Sequence, residues 1–247
     1  MARYGLAKHV FVCRDEEYIV VLDVRQDRYF AFEAARTASL MPLLPGWPAQ
    51  TPAVGPGSGP GREEGSEHAS GVSAEEAAVP LQRQGWLLEL PAESKEATPV
   101  RLPAPRAEVS PGVESEPGKI GLRSVLAFAA ASVFAKFALR FWRFERVIRR
   151  VARRNEARAG APLDMARARQ LMETFVRLRA FLFSHREECL HDSLAVLEFL
   201  ACHQIFPDWV FGVRARPFVA HCWVQYEDAV FNDTAEHAGS YTPIMVV

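Results

Sequence analysis

The chain has 247 residues, 49% apolar and 24% charged, a balance that excludes wholesale disorder and leaves room for two compact domains. A formal net charge of −1 excludes a globally polycationic binder, yet residues 136–186 hold 14 Lys and Arg against 4 Asp and Glu, a local +10 that leaves −11 elsewhere. Four cysteines with no C-x-x-C pair exclude a disulfide framework, and Met1–Val10 contains no signal-like apolar core, so a soluble, cytoplasmic protein with reduced thiols is expected.

β-Branched and aromatic residues predict three short strands at 9–13, 18–23 and 29–32, with polar turns at 14–16 and 25–27. A short helix over 34–44 stops at Pro45, and the Pro/Gly/Ser-rich stretch 45–72 reads as a disordered insertion. Ser73-Ala74-Glu75-Glu76 has the pattern of a capping box and opens a helix ending near Gly85, followed by a strand at Trp86–Leu90. A second Pro-rich stretch, 91–118, reads as a linker, giving domains at 1–90 and 119–247.

The second part opens on a helix whose apolar side is Leu126, Ala130, Val133, Phe134, Phe137, Phe141, Phe144 and Ile148, with Lys136, Arg140 and Arg143 on the other side. Lys136 and Arg140 interrupt the most hydrophobic stretch, Val125–Trp142, which disfavours a membrane span. Further helices follow at Leu163 to about Phe183 and from Cys189 through Leu200. Strands are expected at 209–214, 218–225 and 229–232. Helices followed by strands, rather than alternating with them, indicate an α+β fold.

Chemistry is expected at Cys189, His221 and Asp233. A cysteine near a helix N-terminus sits in partial positive charge that favours thiolate, the nucleophilic form. A histidine can hold that thiolate and protonate a departing amine, and an acid group can fix the imidazole's orientation. Strand parity adds a condition. If the hairpin turned through two residues, Glu227 and Asp228, a continuing ladder would set Asp233 opposite Cys222, on the wrong face for His221. An odd loop or a bulge between Gln225 and Val230 is therefore expected.

Cys189-Leu190-His191-Asp192-Ser193-Leu194-Ala195, Phe211-Gly212-Val213, Phe218-Val219-Ala220-His221-Cys222-Trp223-Val224 and Asn232-Asp233 occur in that order. Together, over about residues 163–247, they resemble the transglutaminase-like cysteine peptidase of lasso peptide biosynthesis, the B protein. The resemblance implies a papain/transglutaminase-like fold with Cys189 as nucleophile, His221 as general acid/base and Asp233 as orienting acid. Cys222 departs from the small residue usual in that family, and Gln225 from its common Glu. Asp23-Val24-Arg25-Gln26-Asp27-Arg28-Tyr29-Phe30 is similar to a hairpin of the small winged-helix-like recognition element of ribosomal peptide-modification pathways. That similarity implies leader-peptide binding by residues 1–90. The combined expectation is a leader peptidase that frees the core amine of a lasso precursor for an ATP-dependent cyclase.

Competing readings follow from the same residues. A thioester at Cys189 could be resolved by an amine, making the protein a crosslinking acyltransferase. A winged-helix-like domain with Arg140, Arg143, Arg146, Arg149, Arg150, Arg153, Arg154 and Arg158 could bind nucleic acid, although the acidic wing region opposes phosphate. His185, Cys189, His191, Cys202, His203, His221 and Cys222 could supply zinc ligands, but their spacings match no common site. Cys13, Cys202 and Cys222 read as buried small residues, and His9, His68, His203 and His237 as residues without a special role. The expectation is therefore no bound metal or cofactor, no nucleic acid and no membrane span. No phosphate-binding G-x-x-x-x-G-K-[ST] loop occurs, so any nucleotide dependence would come through a partner.

Overall fold

The structure, a computed structural model, describes residues 4–48, 73–89, 94–109, 120–157, 162–180 and 189–247. The chain divides into two compact units, residues 1–100 and 101–247.

The first unit runs β1 (Tyr4–Ala7), β2 (Val10–Asp15), β3 (Tyr18–Asp23), β4 (Arg28–Glu33), α1 (Ala34–Thr37), a 3₁₀ turn at Ala38–Leu40, α2 (Ala74–Arg83), β5 (Leu87–Glu89) and β6 (Ser94–Lys95). Strands β2, β3 and β4 form an antiparallel meander, and β5, β1 and β6 form a second three-stranded sheet. Alternate residues Val10, Val12, Ile19 and Val21 share one face of the meander and bury against Leu40, Leu44, Trp47, Leu81 and Trp86. Buried Asp23 organises the second hairpin. Its Oδ1 accepts the Arg25 and Gln26 backbone N–H groups, and its Oδ2 accepts the Trp86 indole N–H at 2.9 Å. The predicted capping box is present: the Glu76 N–H donates to Ser73 Oγ at 3.2 Å and the Ser73 N–H to the Glu76 carboxylate at 3.0 Å. Gly85, at φ +71°, turns the chain from α2 into β5, a backbone conformation that suits glycine.

Two expectations about the Pro-rich stretches are corrected. The first residues of 45–72 belong to the core, with Trp47 buried and the Pro45 carbonyl accepting from the Ala97 N–H at 3.0 Å; residues 49–72 lie outside the described residues. The stretch 91–118 is not simply a linker: β6 pairs with β1, and β7 (Ala107–Glu108) pairs parallel with a strand of the second unit. Pro-rich composition hid both strands, because two-residue edge pairings leave no periodic signal.

After β7 the second unit runs α3 (Leu122–Phe141), α4 (Phe144–Glu156), α5 (Met165–Ala180), α6 (Cys189–Cys202), β8 (Asp208–Arg214), β9 (Val219–Tyr226), β10 (Ala229–Val230), α7 (Ala235–Gly239) and β11 (Thr242–Val246). Its sheet has the order β11-β8-β9-β10-β7, so the unit is α+β as expected. Helix α6 is buried from Ser193 to Leu200 and packs against α3 and β9, which makes it the hub of this unit. Its one buried acid, Glu198, is held by Arg154 at 2.8 Å and Arg150 at 3.4 Å.

The amphipathic reading of the first helix is overturned. It breaks at Trp142, whose extended backbone separates α3 from α4. The buried side of α3 is Ala127, Phe128, Ala131, Ser132, Ala135 and Ala138, while Leu126, Val133, Phe137 and Phe141 face solvent. Both sides of α3 are apolar, and periodicity cannot rank them. The side with the smaller residues allows the closer approach to α6 and takes the inner position.

Candidate active site

Cys189 is the first residue of α6, where unpaired backbone N–H groups gather. One turn on, buried Ser193 locks this end of the helix. Its hydroxyl donates to the Cys189 carbonyl at 2.7 Å, accepts the Trp209 indole N–H at 2.9 Å and lies 3.3 Å from Cys222 Sγ. β9 brings His221 and Cys222 up to the same thiol, near enough for the side chains of both and the Cys222 backbone to lower its pKa. His221 turns Nε2 to Asp233 Oδ2 at 2.6 Å, which leaves its other ring nitrogen for Cys189. The structure therefore brings together all three residues singled out in the sequence.

It does so by a different route from the one expected. The hairpin is a regular two-residue turn, with Tyr226 opposite Ala229, Gln225 opposite Val230 and Glu227 at φ +52°. There is no odd loop or bulge between Gln225 and Val230. Instead β10 stops after two residues and the chain bends through 231–233. Asn232 supplies the reason. Its Oδ1 takes the Val224 N–H at 2.8 Å, in place of the backbone carbonyl that would continue the ladder, and its Nδ2 donates to Asp192 at 3.3 Å. Asp192 is fixed in turn by Arg179 at 3.0 Å. Once the ladder ends, strand parity no longer governs Asp233, which swings onto the His221 side.

His237, read from sequence as having no special role, belongs to the site. Thr234 caps α7 by accepting the His237 N–H, which sets His237 facing back toward Asp233. Its Nδ1 lies 2.9 Å from Asp233 Oδ2, its ring lies 4.8 Å from that of His221, and its Nε2 meets Tyr241 OH at 3.3 Å. An Asp and a His four residues apart around a capping Thr was the available signal. A chain Cys189–His221–Asp233–His237–Tyr241 results, and its first four members line a cleft of about 490 Å³ together with the apolar Met172, Phe175 and Phe231.

The electrostatics favour an ion pair. The Cys222 hydrogen bond outweighs burial and, with the hydrogen bond and charge of His221, brings the Cys189 thiol down to about 4. Burial alone would depress His221, but its hydrogen bonds to Asp233 and Cys189 and their charges raise it to about 9. Burial would raise Asp233, but hydrogen bonds from His221, His237 and the Thr234 N–H hold it below the usual carboxylate range. Buried Cys222 is pushed well up, so it stays a thiol and can donate to the Cys189 thiolate.

Residues 131–246, which contain this whole constellation, match the transglutaminase-like superfamily. The chain carries a transglutaminase-like superfamily domain. No curated protein and no solved structure matches the chain. A domain of this superfamily is typically a cysteine-type enzyme, with peptidase and acyltransferase chemistry both within its range.

Two features of the transglutaminase-like domain now have physical accounts. Gln225, where the resemblance led one to expect Glu, is buried with both amide ends used: Oε1 accepts the Trp223 indole N–H at 2.7 Å, and Nε2 donates to the carbonyls of Pro103 at 2.9 Å and Glu227 at 2.6 Å. A carboxylate there could not donate to either carbonyl. Gly212 lies opposite His221 in the ladder, and a Cβ on it would come 2.8 Å from the Trp223 ring and 2.9 Å from Tyr241 Cβ. Those two rings pack on His221, with centroids 5.9 Å and 5.0 Å away. Gly212→Ala is therefore expected to destabilise the fold by about 1–3 kcal/mol, read as a lowered denaturant midpoint, and to reduce activity through a displaced His221.

Of the other sequence candidates, Cys13 is buried and its thiol is raised by burial, whereas Cys202 is exposed rather than buried. His191 reaches the Ser132 carbonyl at 3.4 Å, and His203 packs on Phe199. His68, Arg158 and His185 lie outside the described residues. His221, Asp233 and His237 place ligand atoms within 4.8 Å of one another, a set able to hold a cation. Their direct hydrogen bonds give each atom a partner without one. Treatment with a strong chelator is expected to leave activity unchanged, and a loss restored by added zinc would make this set a metal centre.

Proposed function

We propose that the protein is a cytoplasmic cysteine peptidase that removes the leader from a ribosomally made lasso precursor, with Cys189 as nucleophile, His221 as general acid/base and Asp233 as orienting acid. The observation that carries this reading is the Cys189–His221–Asp233 arrangement at the N-terminus of a buried helix. The Cys189 thiolate attacks the scissile carbonyl, the C–N bond breaks, and the His221 imidazolium gives its proton to the leaving amine. Water, deprotonated by His221, then hydrolyses the thioester and returns the thiolate. The freed core amine passes to a partner ATP-dependent cyclase, which would account for any nucleotide dependence.

The first unit is proposed as a winged-helix-like recognition element for the leader. Strand β4 forms an edge of the β2-β3-β4 sheet, with an alternating, largely accessible set of side chains, a surface suited to strand addition. Residues 1–100 alone are expected to bind a fluorescent leader peptide by anisotropy, and residues 101–247 to cut the precursor at least tenfold more slowly than the full chain. Binding confined to residues 101–247 would remove the recognition role. Mass spectrometry of precursor incubated with the full chain tests the peptidase reading. A leader fragment one water heavier than the residue sum supports hydrolysis, and a leader joined to an added amine assigns the site to acyl transfer.

A further inference from the structure

The large side chains on α3 that packing leaves outside lie in a line. Leu122, Leu126, Val133, Phe137 and Phe141 are 74%, 61%, 69%, 50% and 66% exposed, and their spacing sets them on one side of a helix about 30 Å long. Single exposed apolar residues are ordinary on a protein surface, but a continuous strip of this length marks an interaction site. The charge pattern says what kind. From residue 120 to residue 144 there is no Asp or Glu, and the charged residues are Arg123, Lys136, Arg140 and Arg143. Lys136 and Arg140 lie on the exposed side, where long aliphatic stems can follow the apolar strip and carry the charge beyond it.

At its C-terminal end the strip runs into a cleft of about 690 Å³ lined by Phe141, Trp142, Arg143, Arg146, Arg149 and Arg153. Arg149 is paired with Glu145 at 2.6 Å and Arg146 lies over the Trp142 ring at 4.3 Å. Arg143 and Arg153 make no ion pair among the described residues, so the cleft presents uncompensated positive charge beside exposed aromatic rings. An apolar strip free of acids, bordered by a cleft of arginines and aromatic residues whose Glu145 is taken up by Arg149, matches an anionic lipid surface: hydrocarbon along the strip, phosphate at the arginines. A convex single helix needs no shaped groove to receive it there, as it would on a protein. Although α3 is long and apolar enough to cross a bilayer, its other side packs on α6, so it must lie in the interface instead.

We propose that α3 and the arginine cleft at the start of α4 form a surface that binds the protein peripherally to an anionic membrane. Flotation of the full chain with vesicles tests this independently of the activity at Cys189. The protein is expected to float with vesicles of phosphatidylglycerol and phosphatidylcholine in equal parts and not with phosphatidylcholine alone. Raising NaCl from about 0.1 M to about 0.5 M should release it. Phe137→Ser/Phe141→Ser and, separately, Arg143→Glu/Arg153→Glu should each weaken binding at least about tenfold with an unchanged circular dichroism spectrum. All four side chains are on the surface, so neither variant removes core packing. Failure of the full chain to float with anionic vesicles, equal binding to neutral ones, or full binding by both variants would overturn the proposal. So would a dimer in light scattering that Phe137→Ser/Phe141→Ser converts to monomer while no vesicle binding occurs, since the strip would then belong to a second copy of the chain.

Discussion

Cys189→Ala is expected to lower precursor cleavage by about 10⁴-fold or more, because the neighbouring thiol, Cys222, is buried and held protonated and so makes a poor substitute nucleophile. The fold should survive: the lost sulfur is on the first residue of α6, and the Ser193 lock uses the Cys189 carbonyl, which the variant keeps. His221→Ala should cost nearly as much, since it removes both the partner of the thiolate and the proton for the leaving amine. Asp233→Ala should cost less, on the order of 10²- to 10³-fold, because His221 would keep its place beside Cys189 and its packing on Trp223 and Tyr241. His237→Ala should be milder still, since it touches Asp233 and not the thiol. Mass spectrometry of timed digests, with anisotropy to confirm intact leader binding, ranks the four variants. Full cleavage by Cys189→Ala would remove the peptidase assignment from this site altogether.

What could be read from the sequence follows from where the information is local. Cys189 and His221 stand in periodic elements, α6 and β9, and the capping box at Ser73 is a four-residue pattern that the fold realises as written. Strand parity predicts the position of Asp233 only while the ladder continues. One side chain, Asn232, ends that ladder by taking the Val224 N–H, and a contact of that kind has no periodicity to detect. His237 was missed because its role depends on the Thr234 cap and the same bend. The orientation of α3 is hidden in the sequence for a different reason. Both of its sides are apolar, and the choice between them rests on how closely Ala127, Ala131 and Ala135 allow α6 to approach, a property of the partner helix.

The ion pair fixes the acidity profile. With Cys189 brought down to about 4 and His221 raised to about 9, thiolate and imidazolium coexist between those limits. Below the lower limit the thiolate gains a proton and the nucleophile is lost; above the upper limit the imidazolium loses its proton and cannot serve the leaving amine. A plot of kcat/KM against pH is therefore expected to be bell-shaped with a broad plateau, its limbs belonging to the pair jointly. Variants should move the limbs separately. Cys222→Ala deletes the largest cause of the depressed thiol, so the acid limb should move up toward neutrality while the alkaline limb keeps its Asp233 support. Asp233→Asn removes a carboxylate that raises His221, so the alkaline limb should move down. Iodoacetamide reads the thiolate without substrate: alkylation of Cys189 in the wild type should already be fast at pH 5, and slower there in Cys222→Ala. Alkylation that rises only above pH 8, as for an ordinary thiol, would show that Cys189 is not held as a thiolate, and the Cys222 and His221 contacts would then have only a packing role.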